Sequence, residues 1–301
     1  MSPPRPHIAA AASLALLLTG CTFSAVPTAM SSPVSSAPAP ATGSGAVSVP
    51  SEEPSEEPTV DLDAKLAAAL RPAAGDASLS AAVLDTESGA TAAYGQRGYD
   101  TASIVKVDIL ATLLLQAQDA GRRLTTEEKT YATAMIEHSD NASATALWNT
   151  IGGAKGLNAG GQRLGLTGTT GGEGGEWGLT QTTARDQLTL LMAVFGTGSR
   201  AGGESPLSAA SRSYLTGLMG RVEAGQQWGV SAAGSSCALK NGWLPRSATS
   251  LWDINSIGRV TANGRTYLIA VLSDGHTTMA AGISKVEDAA RAAVTALAGT
   301  G

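Results

Sequence analysis

A serine and a lysine three positions apart are the first residues of this 301-residue chain whose spacing suggests chemistry. Ser103 and Lys106 form an S-x-x-K motif that places a hydroxyl and an amine on one face of a helix. A serine hydroxyl is a poor nucleophile at neutral pH, and a lysine accepts its proton only if burial or a nearby cation lowers the lysine pKa. The motif predicts a serine nucleophile with a lysine base. The alternative is a helix-capping Ser103 and a Lys106 that reaches solvent, because about one such motif is expected by chance.

Two further triplets carry polar groups that could face the same cleft. Ser139-Asp140-Asn141 lies in a short break between two predicted helices and offers a hydroxyl and an amide. Lys240-Asn241-Gly242 is predicted to end a strand, where a cation could bind a carboxylate and a glycine would let a ligand approach the strand edge. Taken separately, each triplet would be an ordinary helix cap or turn.

The elements that must position these motifs are strands at both ends of the folded region and helices between them. Hydrophobic spacing predicts strands at 80–85, 91–94, 238–240, 253–262 and 265–273. It predicts helices at 61–70, 104–120, 125–138, 142–151, 154–164, 184–195, 208–223 and 279–297. A capping box at residues 125–128 and a tight hairpin at Asn263-Gly264 support two of these boundaries.

This order predicts an α+β fold with three αβα layers. An antiparallel sheet of about five strands is formed by residues 61–103 and 224–301, and a mostly helical lobe spanning 104–223 is inserted between them. The change of composition near Val60 places the domain at 61–301. Residues 21–60 are rich in Ser, Pro, Ala and Glu and are expected to form a disordered tether.

The first residues are typical of an export signal. A charged start and an apolar run at 8–18 predict a signal peptide over residues 1–20, and Leu18-Thr19-Gly20-Cys21 resembles the lipobox of bacterial lipoproteins. The resemblance implies cleavage before Cys21, lipidation of its thiol and a location on the outer face of the membrane. The alternative is a plain signal peptide with an incidental cysteine. The apolar run is too short to span a bilayer.

Composition argues against several classes of partner. The chain has 20 Lys and Arg against 25 Asp and Glu. Its net charge of −5 gives no positive potential that would attract nucleic acid. Two cysteines and three histidines without metal-ligand spacing give no reason to expect a metal or another cofactor. We expect a monomer that acts on a small molecule.

The order S-x-x-K, S-D-N and K-x-G, with a helical lobe between the first and third, resembles the penicillin-recognising serine enzymes. The greatest similarity is to class A β-lactamases, and it covers 61–301, including the segment 182–186 and the strand at 268–274. The resemblance implies a substrate that is a β-lactam or a D-alanyl-D-alanine peptide.

The resemblance also implies a role for each residue of the three motifs. It makes Ser103 the acylated nucleophile, Lys106 its base or proton relay, and Ser139 the donor to the leaving nitrogen. The remaining roles are polarisation of that donor by Lys240 and substrate binding by Asn141, Asn241, Gly242 and Trp243. The backbone N–H groups of Ser103 and Trp243 would form the oxyanion hole, and Asp140 would brace its loop.

The sequence departs from this family in two places. Asn241 stands where the family has threonine or serine, and the segment between Leu164 and Thr182 is short and lacks the E-x-x-L-N motif that positions a deacylating water. Glu173 or Glu176 could replace that glutamate, or both could be solvated charges. The sequence leaves three functions open: an extracytoplasmic β-lactam hydrolase that can deacylate slowly, a D-alanyl-D-alanine peptidase, and a binding lipoprotein without turnover.

Overall fold

Five strands form one antiparallel sheet because their side chains alternate between two apolar faces. In the computed structural model the order of the strands is β2-β1-β7-β6-β5. The strands are β1 (Ser78–Asp85), β2 (Thr91–Tyr94), β5 (Ser235–Arg246), β6 (Leu251–Ala262) and β7 (Arg265–His276). In β7, Leu268 and Ala270 pack into one apolar cluster and Ile269 and Val271 into the other. The sheet therefore separates two cores, and the predicted antiparallel five-stranded sheet is confirmed.

Helices cover both faces of this sheet. The helices are α1 (Leu62–Ala74), α2 (Val105–Asp119), α3 (Thr126–Glu137), α4 (Asn141–Ile151), α5 (Gly153–Leu164), α6 (Ala184–Phe195), α7 (Ala209–Met219) and α8 (Met279–Leu297). Helices α1 and α8 pack together on one face, and α6 packs on the opposite face as the base of the lobe formed by α2 to α7. The three αβα layers and the inserted helical lobe agree with the prediction.

The structure describes residues 60–74, 78–197 and 203–298. These residues belong to the compact unit Pro58–Gly301. The predicted signal peptide, Cys21 and the predicted tether up to residue 59 lie outside the described residues. Within the described part of the chain, no helix is both long enough and apolar enough to cross a membrane.

The bounds of two predicted elements were clearly wrong, and one small sheet was missed. The strand predicted at 238–240 spans Ser235–Arg246, so Lys240-Asn241-Gly242 lies inside β5 and does not end it. Pairing with β6 continues as far as Arg246 and overrides the low strand propensity of Asn, Gly and Pro. The helix predicted at 208–223 ends at Met219. A two-stranded sheet of β3 (Tyr99–Asp100) and β4 (Gln181–Thr182) was not predicted.

Candidate active site

Ser103 lies in a tight turn that leads into the buried helix α2. The turn is the 3-10 helix Ala102–Ile104, and Ala102 has a positive φ of 48°. A non-glycine residue in this region is strained, and such strain concentrates at functional sites. The side-chain amide of Asn255, on β6, donates hydrogen bonds to the backbone carbonyls of Asp100 (2.8 Å) and Thr101 (3.1 Å). The sheet thus fixes the backbone that precedes the serine.

Strand β5 passes very close to the same turn. A Cβ atom added to Gly242 would lie 2.7 Å from the carbonyl oxygen of Thr101 and 2.8 Å from the backbone nitrogen of Ser103. These neighbours are backbone atoms that cannot swing aside. Only glycine therefore lets β5 approach Ser103, and the residue that follows it, Trp243, lines the same cavity as Ser103.

The amine of Lys106 is fully buried and hydrogen-bonded. Its side chain has no exposed surface. Nζ donates to the backbone oxygen of Ser139 (2.6 Å), to Ser139 Oγ (3.0 Å) and to Asn141 Oδ1 (2.8 Å). Burial lowers the pKa of Lys106 to about 7, although the nearby Asp140 carboxylate opposes this shift. Lys106 can therefore be neutral near physiological pH, as a proton-accepting amine must be.

Ser139 connects Lys106 to a second buried lysine. The Nζ atom of Lys240, on β5, donates to Ser139 Oγ at 3.0 Å, the same distance as Lys106 Nζ. Ser139 itself has a positive φ of 56°, a conformation that few residues other than glycine adopt. Burial, and then the charge of Lys106, lower the pKa of Lys240 to about 7, while Glu223 opposes the shift. Two amines therefore flank the hydroxyl of Ser139, and protons can move between the lysines through it.

The loop that carries Ser139 is fixed by the start of α4. Asp140 caps this helix, and its carboxylate accepts a hydrogen bond of 2.7 Å from the backbone N–H of Ser143. Asn141 is the first residue of α4, accepts its bond from Lys106 and lines the cavity beside Ser103. Asp140 therefore braces the loop, in agreement with the interpretation of the sequence.

Asn241 does not offer its amide to a ligand. The side chain is buried, and its Nδ2 donates both hydrogens to the backbone carbonyls of Gln226 (2.8 Å) and Trp228 (2.9 Å). Both amide hydrogens are already used, so the substrate-binding role expected of Asn241 finds no free N–H donor. These two hydrogen bonds hold residues 226–228 against β5.

Ser103 opens into a cavity of about 350 Å³. Its hydroxyl has no hydrogen-bond partner within the described residues. The walls are formed by the Ser103 turn, α4, β5 and the loop at 175–179, with Asn141, Thr145, Glu176, Trp177, Leu179, Trp243 and Leu244 among the lining residues. The β5 side of the cavity is therefore apolar, and the loop side combines the apolar Trp177 and Leu179 with the carboxylate of Glu176.

The loop between α5 and α6 is anchored at its ends and exposed in its middle. Asp186 Oδ2 accepts hydrogen bonds of 2.7 Å from the Gly168 N–H and from Thr169 Oγ1. Glu173 and Glu176 are both exposed, and only Glu176 lines the cavity with Ser103. If either glutamate replaces the family's missing carboxylate, the geometry favours Glu176.

Two residues of this site were missed by sequence reasoning. The Lys106 amine lies 5.0 Å from the centre of the Trp177 ring, and Trp177 Nε1 donates to Thr145 Oγ1 at 3.1 Å. A single tryptophan in a glycine-rich loop was the available signal for Trp177. Thr145 carried no such signal.

Among the described residues, no group of three or more His, Cys, Asp or Glu side chains could hold a metal ion.

Comparison with known proteins places this geometry in a family. The Beta-lactamase enzyme family (Beta-lactamase2) matches residues 125–298, more than half of the chain. No curated protein matches significantly.

Solved structures share the fold at low sequence identity. A beta lactamase from Xanthomonas campestris pv. campestris is 20% identical with a TM-score of 0.60, over 77% of this chain and 95% of that one. A class A beta-lactamase representative from Bacteroides cellulosilyticus is 16% identical with a TM-score of 0.65, over 78% and 98%. The protein PBP-A is 19% identical with a TM-score of 0.65, over 78% and 96%. The chain belongs to the beta-lactamase enzyme family, within the penicillin-recognising serine hydrolases.

Proposed function

We propose that this protein is an extracytoplasmic serine hydrolase that forms an acyl-enzyme with β-lactams through Ser103. One observation carries the proposal: Ser139 Oγ lies 3.0 Å from the amines of both Lys106 and Lys240, beside the cavity that Ser103 lines. Both amines have a pKa lowered to about 7 by burial, so each can gain or lose a proton at neutral pH.

In the proposed acylation, Ser103 Oγ attacks the carbonyl carbon of the β-lactam ring. The hydroxyl proton passes to the neutral Lys106 amine, and the developing oxyanion is held by the N–H groups of Ser103 and Trp243. The C–N bond then breaks. Ser139 donates its proton to the leaving nitrogen and is reprotonated by a lysine ammonium. Asn141 would hold the amide of the substrate side chain.

Hydrolysis of the resulting ester is proposed to be slow. Deacylation needs a water molecule and a base within about 3 Å of it, directly or through a second water. The candidate carboxylates Glu173 and Glu176 are exposed on a glycine-rich segment, whose ordering costs backbone entropy. The acyl-enzyme is therefore expected to be the dominant species during turnover.

The same loop also supports a second candidate, a D-alanyl-D-alanine peptidase. This reaction uses the same serine, lysines and hydroxyl on a peptide, and a peptidase acylated by a β-lactam would also hold the ester for a long time. Release of D-alanine from a peptide that ends in D-alanyl-D-alanine would distinguish this activity from β-lactam hydrolysis. A protein that is acylated but turns over neither substrate would be a binding lipoprotein.

The decisive experiment is intact-mass measurement after incubation with a penicillin. Wild-type protein should gain the mass of one penicillin, and Ser103→Ala should gain none. Ser213→Ala, which removes an exposed hydroxyl on α7, is the matched control and should be labelled like wild type. Labelling of Ser103→Ala would overturn the assignment of the nucleophile.

The location of the protein is proposed from its first residues. Cys21 is expected to be the lipidated N-terminus of the mature chain, facing outward from the membrane. Cys21→Ala should be released or remain unprocessed, whereas Cys237→Ala should behave like wild type. A native protein found in the medium with an unmodified N-terminus would contradict the anchor.

A further inference from the structure

Trp177 covers the buried amine beside the nucleophile. The amine of Lys106 lies over its ring, 5.0 Å from the centre, and the indole lines the same cavity as Ser103. Part of the ring also packs against the apolar core of the helical lobe. The indole therefore stands between the lysine and the open side of the loop.

The turn that carries this ring is attached directly to the nucleophile turn. The backbone N–H of Thr101 donates to the carbonyl of Thr180 at 2.9 Å, and Thr101 Oγ1 donates to the carbonyl of Gly178 at 3.4 Å. Trp177 Nε1 is also bonded to Thr145 on α4 at 3.1 Å. The indole is therefore held on two sides, by the serine's own turn and by the helix that carries Asn141.

A water molecule between the ring and the lysine would find few partners. The amine directs its hydrogens to Ser139 and Asn141, and the indole N–H is used by Thr145. A buried water usually needs two to four polar partners, about three on average. An aromatic face and an amine whose N–H groups are already used leave at most one good acceptor, the lone pair of the neutral amine, so this approach to Lys106 is a poor place for a water.

We propose that Trp177 keeps the hydrolytic water away from the Ser103 ester and thereby prolongs the acyl-enzyme. Hydrolysis adds the oxygen of one water to the acyl carbon and breaks the bond from that carbon to Ser103 Oγ. One proton of the water passes through a base to Ser103 Oγ, and the other remains with the carboxylic acid product. Lys106 is the proposed base for acylation, and Trp177 lies over its amine where a water would otherwise approach it. The inference rests on the proposed acylation of Ser103.

The test compares acyl-enzyme lifetimes after excess penicillin is removed. Trp177→Leu and Trp177→Ala should shorten the lifetime at least tenfold, while the acylation rate at pH 9, where Lys106 is neutral in every variant, stays within about threefold of wild type. Trp177→Phe keeps an aromatic ring at this position but is smaller than the indole and loses the bond to Thr145, so its lifetime should fall between those of wild type and Trp177→Ala. Trp252→Leu replaces a half-buried tryptophan on β6 that does not line the cavity, and it is the matched control.

A second readout separates shielding of Lys106 from a general loosening of the loop. Burial is the main cause of the lowered pKa of Lys106. Admitting water should therefore move the pH midpoint of acylation upward, by about one unit in Trp177→Leu and not at all in Trp252→Leu.

The outcomes are distinct. No adduct on wild-type Ser103 overturns the proposed function itself. An adduct whose lifetime is unchanged in the folded Leu or Ala variant overturns only the role of Trp177. A lifetime as short in Trp177→Phe as in Trp177→Ala would show that an aromatic ring at this position does not shield the ester, and it would overturn the role of the ring. If Trp177→Ala fails to fold, as judged by circular dichroism, Trp177→Leu decides.

Discussion

The two sides of the Ser103 cavity hold their ionisable groups in opposite ways. On one side, Lys106 and Lys240 are completely buried and share the hydroxyl of Ser139. On the other side, Glu173 and Glu176 are exposed on a glycine-rich loop, and only Glu176 lines the cavity. Burial and hydrogen bonds organise groups before a reaction, whereas an exposed carboxylate must be ordered during it. The comparison supports the proposed function, in which acylation is fast and hydrolysis is slow.

The largest effect is expected from removing the buried base. Lys106→Met should lower the acylation rate by about 10²- to 10⁴-fold, which is the usual contribution of a general base. Stopped-flow or quenched mass measurements of acylation would check it. Lys155→Met, at an exposed position on α5, should leave the rate unchanged. An unchanged rate in Lys106→Met would remove this lysine from the mechanism.

Replacing Gly242 should slow acylation by moving the Ser103 turn, without removing an ionisable group. The added Cβ of Gly242→Ala would meet the Thr101 oxygen at 2.7 Å and the Ser103 nitrogen at 2.8 Å and push the serine turn away from β5. Misplacing a nucleophile by about 1 Å can cost about a hundredfold in rate, and we expect a loss of this size in acylation. Gly217→Ala, whose Cβ would meet only the side chain of Arg221, is the control. Acylation within threefold of wild type would show that the close contact is unimportant.

The acylation rate should depend on pH around 7. Burial lowers the pKa of Lys106 to about 7, and the base must be neutral, so the rate should decrease as pH falls below this value. The decrease should approach tenfold per pH unit, and the two lysines should titrate as a pair because they share Ser139. Acylation rates between pH 5 and 8, with circular dichroism to verify folding, would measure it. A rate independent of pH would show that the base is not a lysine of this pKa.

On the loop side, removing either carboxylate should change little. Glu173→Gln and Glu176→Gln should each alter the deacylation rate by less than about tenfold, or about 1.4 kcal/mol. The measurement is the decay of the acyl-enzyme after removal of free penicillin. A decrease of a hundredfold or more in one variant, with acylation intact, would identify that glutamate as the deacylating base and indicate an efficient β-lactamase.

The smallest effect concerns a buried acid that links the loop to the helix of Lys106. Gln187 Nε2 donates to Asp108 Oδ1 (3.3 Å) and to Thr182 Oγ1 (3.0 Å), while Asp108 Oδ2 has no partner among the described residues. Burial raises the pKa of Asp108 to about 7. The protonated carboxyl is favoured in the fold, so stability from this group is lost as pH rises through 7.

Asp108→Asn should therefore stabilise the protein more at pH 8 than at pH 5, by about 2–4 °C in Tm. Thermal unfolding at the two pH values would measure this difference. Glu204→Gln makes the same chemical change at an exposed position and should show no such dependence on pH. An equal effect of Asp108→Asn at both pH values would mean that Asp108 does not titrate in this range.

Local signals in the sequence predicted most of the fold. The capping box of Thr125 and Glu128 is present at the start of α3, and the bounds predicted for α6 and α8 agree with the structure because their caps and apolar periodicity are local. Strand β5 was predicted too short because its extent is set by pairing with β6. The pair β3 and β4 is too short to leave a periodic pattern.

The candidate site was likewise predicted only in part from the sequence. The three motifs identified Ser103, which lines the cavity, and Lys106 and Lys240, which share the hydroxyl of Ser139. The contact of Trp177 with Lys106 and the inward turn of the Asn241 amide were not predictable. Both depend on which segments meet in three dimensions, and neither leaves a spacing in the sequence.

The most direct test of the central claim is the time course of ring opening when the protein is mixed with a β-lactam whose absorbance changes on ring opening. The account predicts a rapid burst of one equivalent per protein chain, followed by a much slower steady phase limited by deacylation. The burst should be absent in Ser103→Ala. A linear time course without a burst, at a steady rate that consumes many equivalents, would contradict the claim that the site is organised for acylation and not for hydrolysis.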